Sequence, residues 1–205
     1  MPLSRTFTKK VSREAVDDFI KNYSSEKLTL DIGCGESRYS KYFPNRIGLD
    51  FEYIKGVNLI ADVNSLPFKN ESFGQILCSE VLEHLEVPEI GIKEMRRVLK
   101  KNGKIILTTR FLFPLHNEPQ DFWRFTRFGL EKMFREWKIE RLEEDLEDLT
   151  SLASVMQKFA FRQGIYIKFL SLLLSKSIQI LNPVFRNKIR TKMMPTGYLL
   201  IVIKI

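Results

Sequence analysis

LTLDIGCGESRYSKYF, residues 28–43, decides how this chain folds. Residues 28–33 are a short apolar run ending in glycine and read as a buried strand, and Arg38–Phe43 read as the helix that follows. Between them Gly33 and Gly35 let the backbone turn tightly and approach a ligand closely. Position 38 is Arg and no G-K-[ST] follows, so a phosphate or dinucleotide cradle is disfavoured.

Working outward, the pattern repeats. RIGLD (46–50), LIAD (59–62), SFGQILCS (72–79) and KIILTT (104–109) read as four further strands, and Trp137–Leu142 and GYLLIVIKI (197–205) as two more. Helices are predicted at 12–23, with Ser12 as cap, at 88–99, opened by Pro88, and from the Thr126 cap to Arg135. Apolar strands alternating with helices mean a parallel sheet covered on both faces. A ligand then belongs at the carboxyl ends of the strands, beside the first glycine turn.

Two carboxylates stand at such ends. Asp50 closes the second strand, where it can accept from vicinal ribose hydroxyls. Asp62 closes the third, next to Val63, where it can accept from an exocyclic amine such as that of adenine; its bland role is an Asx-turn.

LDIGCGESRYSKYF, GLD, ADVNSLPFKNESFGQILCSEVLEHL and RVLKKNGKIILTTRF resemble, in order and spacing, the successive motifs of class I S-adenosylmethionine-dependent methyltransferases. The resemblance covers residues 28–135 and is nearest to the type 11-like group that methylates small molecules and lipids. It implies a Rossmann-like, doubly wound α/β fold. The sheet would have seven strands in the order 3-2-1-4-5-7-6, with the last strand antiparallel and a helical insertion between strands 6 and 7. It further implies that Asp31, Gly33 and Gly35 hold the methionine end of S-adenosylmethionine and Asp50 the ribose. Asp62 and Val63 would face adenine, and Ser79 and Glu80 would flank the transferring methyl. Ser37 stands where many members have a third glycine.

The sulfonium already activates the methyl, so such a protein must align nucleophile, carbon and sulfur and exclude water. A base helps only an acceptor that holds a proton at pH 7. His116 and His84, in the loops after the fifth and fourth strands, are the candidate bases, with Asp121 a further option. HNEPQDFWRFTRFGL (116–130) also looks like a segment of methyltransferases that act in surface-glycan and lipid biosynthesis. There Phe122, Trp123 and Phe125 would wall an acceptor pocket, and Arg124 would hold an anionic group. The bland alternative places these aromatics in the core.

The chain reads as a single domain, 1–205, with residues 145–195 as a helical, basic, apolar insertion. All 25 acidic residues lie at or before Asp148, whereas 149–205 carry nine basic residues, among them Lys158, Lys168 and Lys176. FAFRQGIYIKFLSLLLSKSIQIL (159–181) is too often broken by charge to span a bilayer, which takes ~20 apolar residues. With RNKIRTK (186–192) it fits an in-plane contact of 159–192 with anionic lipid. A lid or homodimer interface is the alternative. Leu and Ile in place of exposed aromatics argue against nucleic acid. Two cysteines outside any C-x-x-C pair, and an N-terminus without an apolar h-region, predict a cytoplasmic protein, peripheral at the membrane inner face if the lipid contact holds. With two histidines and two cysteines no metal site is expected. The predicted activity is methyl transfer, at oxygen, to a small or lipid-linked acceptor that can be glycan-linked. An RNA methyltransferase and a non-catalytic binding module of the same fold are the alternatives.

Overall fold

The computed structural model describes residues 11–146, 148–160, 164–185 and 193–205. Its centre is one seven-stranded sheet: β1 (Thr29–Ile32), β2 (Arg46–Asp50), β3 (Leu59–Ile60), β4 (Phe73–Ser79), β5 (Leu99–Arg110), β6 (Lys138–Glu144) and β7 (Gly197–Ile203). The strand order is β3-β2-β1-β4-β5-β7-β6. The first five strands pair in parallel, and β7 runs antiparallel to both β5 and β6. Alternation along β5 divides its side chains between two cores. Ile106 faces α1 (Val11–Lys21) with Phe19, Ile20, Phe43 and Leu77, whereas Ile105 and Leu107 face α2 (Pro88–Val98) and α3 (Arg127–Met133) with Met95, Leu130 and Phe134.

Several expected elements are shorter than the sequence pattern suggests. The helix expected at 38–43 is only a 3₁₀ turn, Ser40–Tyr42. Pro44 follows at once, and the residue before a proline is pushed out of the helical region, so Phe43 is extended at φ −134°. The third strand ends at Ile60 because Asp62 turns the chain: its Oδ1 accepts from Asn64 N at 2.8 Å. Ser12 lies inside α1 rather than capping it, and its hydroxyl is buried. Thr126 does cap α3, its side chain accepting from Gly129 N.

Between β6 and β7 lie α4 (Asp148–Ala160) and α5 (Ile165–Phe185). Buried small residues, Ala153 and Ala160 on α4 and Ser171 and Ser175 on α5, let the two helices pack closely, and Ser175 Oγ donates to Ala153 O at 2.8 Å. The ends of the insertion are fastened together. Asp145 accepts from Gly197 N at 2.9 Å and from Thr196 Oγ1, and Asp148 Oδ1 accepts from Met194 N at 2.8 Å. RNKIRTK (186–192) lies outside the described residues.

The tail's cations do not all face outward, as the charge segregation suggested. Lys158 points inward from α4, donates to Ser12 Oγ at 3.2 Å and lies 3.5 Å above the ring of Phe113. Burial, then the neighbouring Arg110, pull its pKa down to about 7, against the opposing pull of Glu80 and Asp145. Because the folded pKa lies below the unfolded one, the ammonium opposes folding most below pH 7, and the effect fades as pH rises towards the unfolded value. Lys158→Met is therefore expected to raise the thermal midpoint at pH 6 and to lose that advantage by pH 10 in parallel melts. Gly197 tests the β5–β7 pairing, since a Cβ there would sit 2.3 Å from Thr109 O. Gly197→Ala should lower the urea midpoint by the equivalent of ~1–3 kcal/mol, with the m-value unchanged.

Candidate cofactor and acceptor site

The turn leaving β1 is built from backbone conformations that side chains resist. Gly33 and Gly35 have φ of +64° and +49°, and Ser37, the departure from the family's third glycine, takes the same left-handed region at +61°. Ser37 is held there by its hydroxyl, which donates to Gly56 O at 2.8 Å. A Cβ on Gly33 would lie 2.2 Å from Val81 Cγ2, so the turn presses on the segment after β4. A Cβ on Gly35 would meet nothing within 4 Å, so the space before that residue is open.

Asp50 closes this hollow from behind. Its Oδ2 accepts from Gly35 N and its Oδ1 from Phe51 N, both at 2.8 Å, and it is buried. A carboxylate has about four lone-pair sites, so two acceptor positions remain for hydroxyls. Asp31 is placed differently. Its carboxylate pairs with Arg46 at 3.2 Å, and burial pushes its pKa up to about 7, against the pull of Arg46 and with a smaller push from Asp50. Asp62 is exposed at the cleft edge with one oxygen in its Asx-turn, and the Val63 side chain is core, which leaves Val63 only its peptide group for a ligand.

Beyond β4 the chain turns sharply again at Glu80, whose φ is +58°. Ser79 Oγ lies 3.0 Å from Thr108 Oγ1. The Glu80 carboxylate, expected beside the methyl, is taken up by two guanidinium groups, Arg13 at 2.8 Å and Arg110. Arg110 in turn reaches Asp145 at 3.5 Å. This buried ionic chain joins the cleft to the insertion. Arg110, a charge directly after the apolar run IIL and two threonines, was its one signal in the sequence.

His84 and His116, far apart in sequence, meet edge to face with ring centroids 4.7 Å apart. His84 Nδ1 lies 2.6 Å from Gln120 O. His116 packs against Phe113, its backbone N–H donates to Asp121 Oδ2 at 2.9 Å, and burial, ahead of other influences, lowers its pKa. Glu83, which the sequence reading passed over, lies beside them, fully buried. It accepts from Thr109 Oγ1 at 2.8 Å, and burial lifts its carboxyl to about 7.

Arg124 is not the free anion holder the sequence suggested. It grips both Asp121 oxygens, at 2.6 and 2.7 Å, and also donates to the carbonyls of Phe113, Pro114 and Trp123. The guanidinium keeps the Asp121 carboxyl far below the usual carboxylate range and ties the 113–124 loop into one unit. Phe125 is core, whereas Phe122 and Trp123 are about half exposed. Trp123 Nε1 donates to Leu85 O, and its ring borders a groove of about 800 Å³ between α2 and α3 that Ile92, Arg96, Met133 and Trp137 also line. Neither the glycine turn nor either histidine touches that groove.

Residues 30–107 match the methyltransferase domain family. A putative methyltransferase of Encephalitozoon cuniculi is 36% identical over 109 residues, 47% of this chain and 50% of that protein. The tRNA (carboxymethyluridine(34)-5-O)-methyltransferase of Saccharomyces cerevisiae is 32% identical over 98 residues, 42% of this chain and 35% of its own. The chain thus spans about half or less of the curated relatives it matches. Among solved structures, Burkholderia thailandensis 1,6-didemethyltoxoflavin-N1-methyltransferase, determined with bound S-adenosylhomocysteine, superposes with a TM-score of 0.60 at 13% identity, over 97% of this chain and 80% of that one. That likeness establishes shared fold alone. The domain match, the strand order and the glycine turn backed by Asp50 together support a class I S-adenosylmethionine-dependent methyltransferase.

Proposed function

We propose that the chain transfers the methyl group of S-adenosylmethionine to an oxygen of a small or lipid-linked acceptor, a glycan-linked one included. The observation that carries this is the open space before Gly35, with a buried acceptor carboxylate behind it. The residues fit the cofactor. Gly33 and Gly35 admit its methionine end to the backbone, and the remaining lone pairs of Asp50 take the ribose hydroxyls. Asp62 and the Val63 peptide group flank the adenine.

The cofactor supplies an activated methyl, so the chain's own part is placement. The turn fixes one side of the cleft against Val81, and the Arg124–Asp121 clamp fixes the other. Orientation of this kind contributes up to ~7–11 kcal/mol to a two-reactant step. His116 and His84, which meet edge to face, are the groups assigned to hold the acceptor hydroxyl and receive its proton.

The lipid-linked form of the reading rests on α5. Its outer face leaves Tyr166 88%, Phe169 70% and Ile180 64% exposed. No helix among the described residues is long and apolar enough to cross a membrane, so contact would be in-plane. A second reading, RNA as acceptor, is favoured by the yeast relative and by the net charge of +8.

Calorimetric titration with S-adenosylmethionine should give saturable one-site binding, and Asp50→Ala should weaken it at least tenfold, since hydrogen bonds to a charged group contribute ~1.5–3 kcal/mol. Unchanged affinity in that variant removes the ribose assignment. Release of S-adenosylhomocysteine should then follow addition of a cell lipid extract. Release with tRNA alone selects the RNA reading, and cofactor binding without turnover on any fraction selects the non-catalytic module. Flotation with anionic vesicles is expected to carry the protein upward, and no flotation ends the membrane reading of 159–192.

A further inference from the structure

The chain's two histidines stand together with a carboxylate in an arrangement that proton transfer alone does not explain. One ligand-capable atom from each of Glu83, His84 and His116 lies within 4.8 Å of the others. Glu83 has no solvent exposure, and while its Oε2 accepts from Thr109, its Oε1 has no hydrogen-bond partner. A buried polar atom left unpaired is costly, and more so when charged. His116 Nδ1, also buried, has Asp121 Oδ2 3.2 Å away, which leaves Nε2 as the nitrogen for a ligand.

The surroundings are those of a supported ligand set. His84 Nδ1 faces the Gln120 carbonyl, which requires a proton on that nitrogen and leaves Nε2 as a bare lone pair. Asp121 stands behind His116 and is itself fixed by Arg124. A carboxylate or carbonyl behind the second ring nitrogen is the usual support of a metal-bound imidazole.

We infer that Glu83, His84 and His116 form a binding site for a divalent first-row transition metal ion, through two imidazole nitrogens and one carboxylate oxygen. Two nitrogens and one oxygen suit zinc, iron, cobalt or manganese, whereas calcium and magnesium favour all-oxygen shells. Bonds to such a metal run ~2.0–2.2 Å, so the three atoms must draw together on binding. His84 on a single 3₁₀ turn and His116 on a loop have the freedom to do so. Three protein ligands leave positions open, and an acceptor oxygen bound there would lose its proton more readily. That use rests on the methyltransferase reading; the binding of the ion does not.

Because both histidines of the chain are in this cluster, the test is clean with the full-length protein carrying a histidine-free tag. After chelator treatment, calorimetry with Zn²⁺ and visible absorption with Co²⁺ should each report one ion per chain. His116→Gln and Glu83→Gln should each weaken binding more than about a hundredfold, beyond the ~10–100-fold expected for a supporting residue such as Asp121→Asn. S-adenosylmethionine titration and a thermal melt of each variant show that it is folded. Absence of a saturable site in the wild-type protein, or equal affinity in a folded His116→Gln variant, overturns the assignment. Cofactor binding without metal binding rejects this inference and leaves the methyltransferase reading standing, whereas metal binding without cofactor binding does the reverse.

Discussion

The hydrogen bond from Gly35 N to the Asp50 carboxylate is the tie on which the rest of the cleft depends. It joins the ends of two adjacent parallel strands through a backbone donor, and so it sets the height of the glycine turn above the sheet. With Gly33 already against Val81, the turn has no lateral freedom either. Three left-handed residues, Gly33, Gly35 and Ser37, follow from this constraint, because the chain must reverse within one turn to meet both neighbours. Their strain is met by the hydrogen bonds that Asp50 and Gly56 accept.

Next to the turn, the segment after β4 relies on charge rather than backbone. Glu80 sits between Arg13 and Arg110, and Arg110 continues to Asp145 at the root of the insertion. Breaking one member would leave a buried ion uncompensated, which costs more than the intact pairing contributes. Helix α1, the end of β5 and the insertion are thereby linked by one set of groups next to the cleft, and what moves the insertion also strains Glu80.

Most strands were legible because each is a dense apolar run bounded by turn residues, a signal carried locally, whereas their order and the antiparallel last strand came from the resemblance to class I methyltransferases. Asp50 was legible for the same reason, standing at a strand end. What the sequence hid is what depends on distance. Arg124 looked available because Asp121 and the carbonyls of residues 113–114 can be seen to surround it only once the loop is folded. Lys158 counted as one more tail cation, yet tertiary packing turns it inward over Phe113. Glu83 went unremarked within EVLEHL, because a 3₁₀ turn, unlike a helix, announces no buried face. His84 and His116 were noticed singly, and their meeting needed the loop after β5 to fold back over the turn after β4.

The fastened base of the insertion has a bearing on how such a protein diversifies. Asp145 and Asp148 hold the outgoing and returning chain side by side, so the insertion leaves and rejoins the sheet at one place. For a segment whose ends are already brought together, doubling the length costs only ~0.6 kcal/mol of closure entropy. Lineages sharing this sheet are accordingly free to lengthen, shorten or replace the appendage without unsettling the strands that carry it, provided these two aspartates keep their partners.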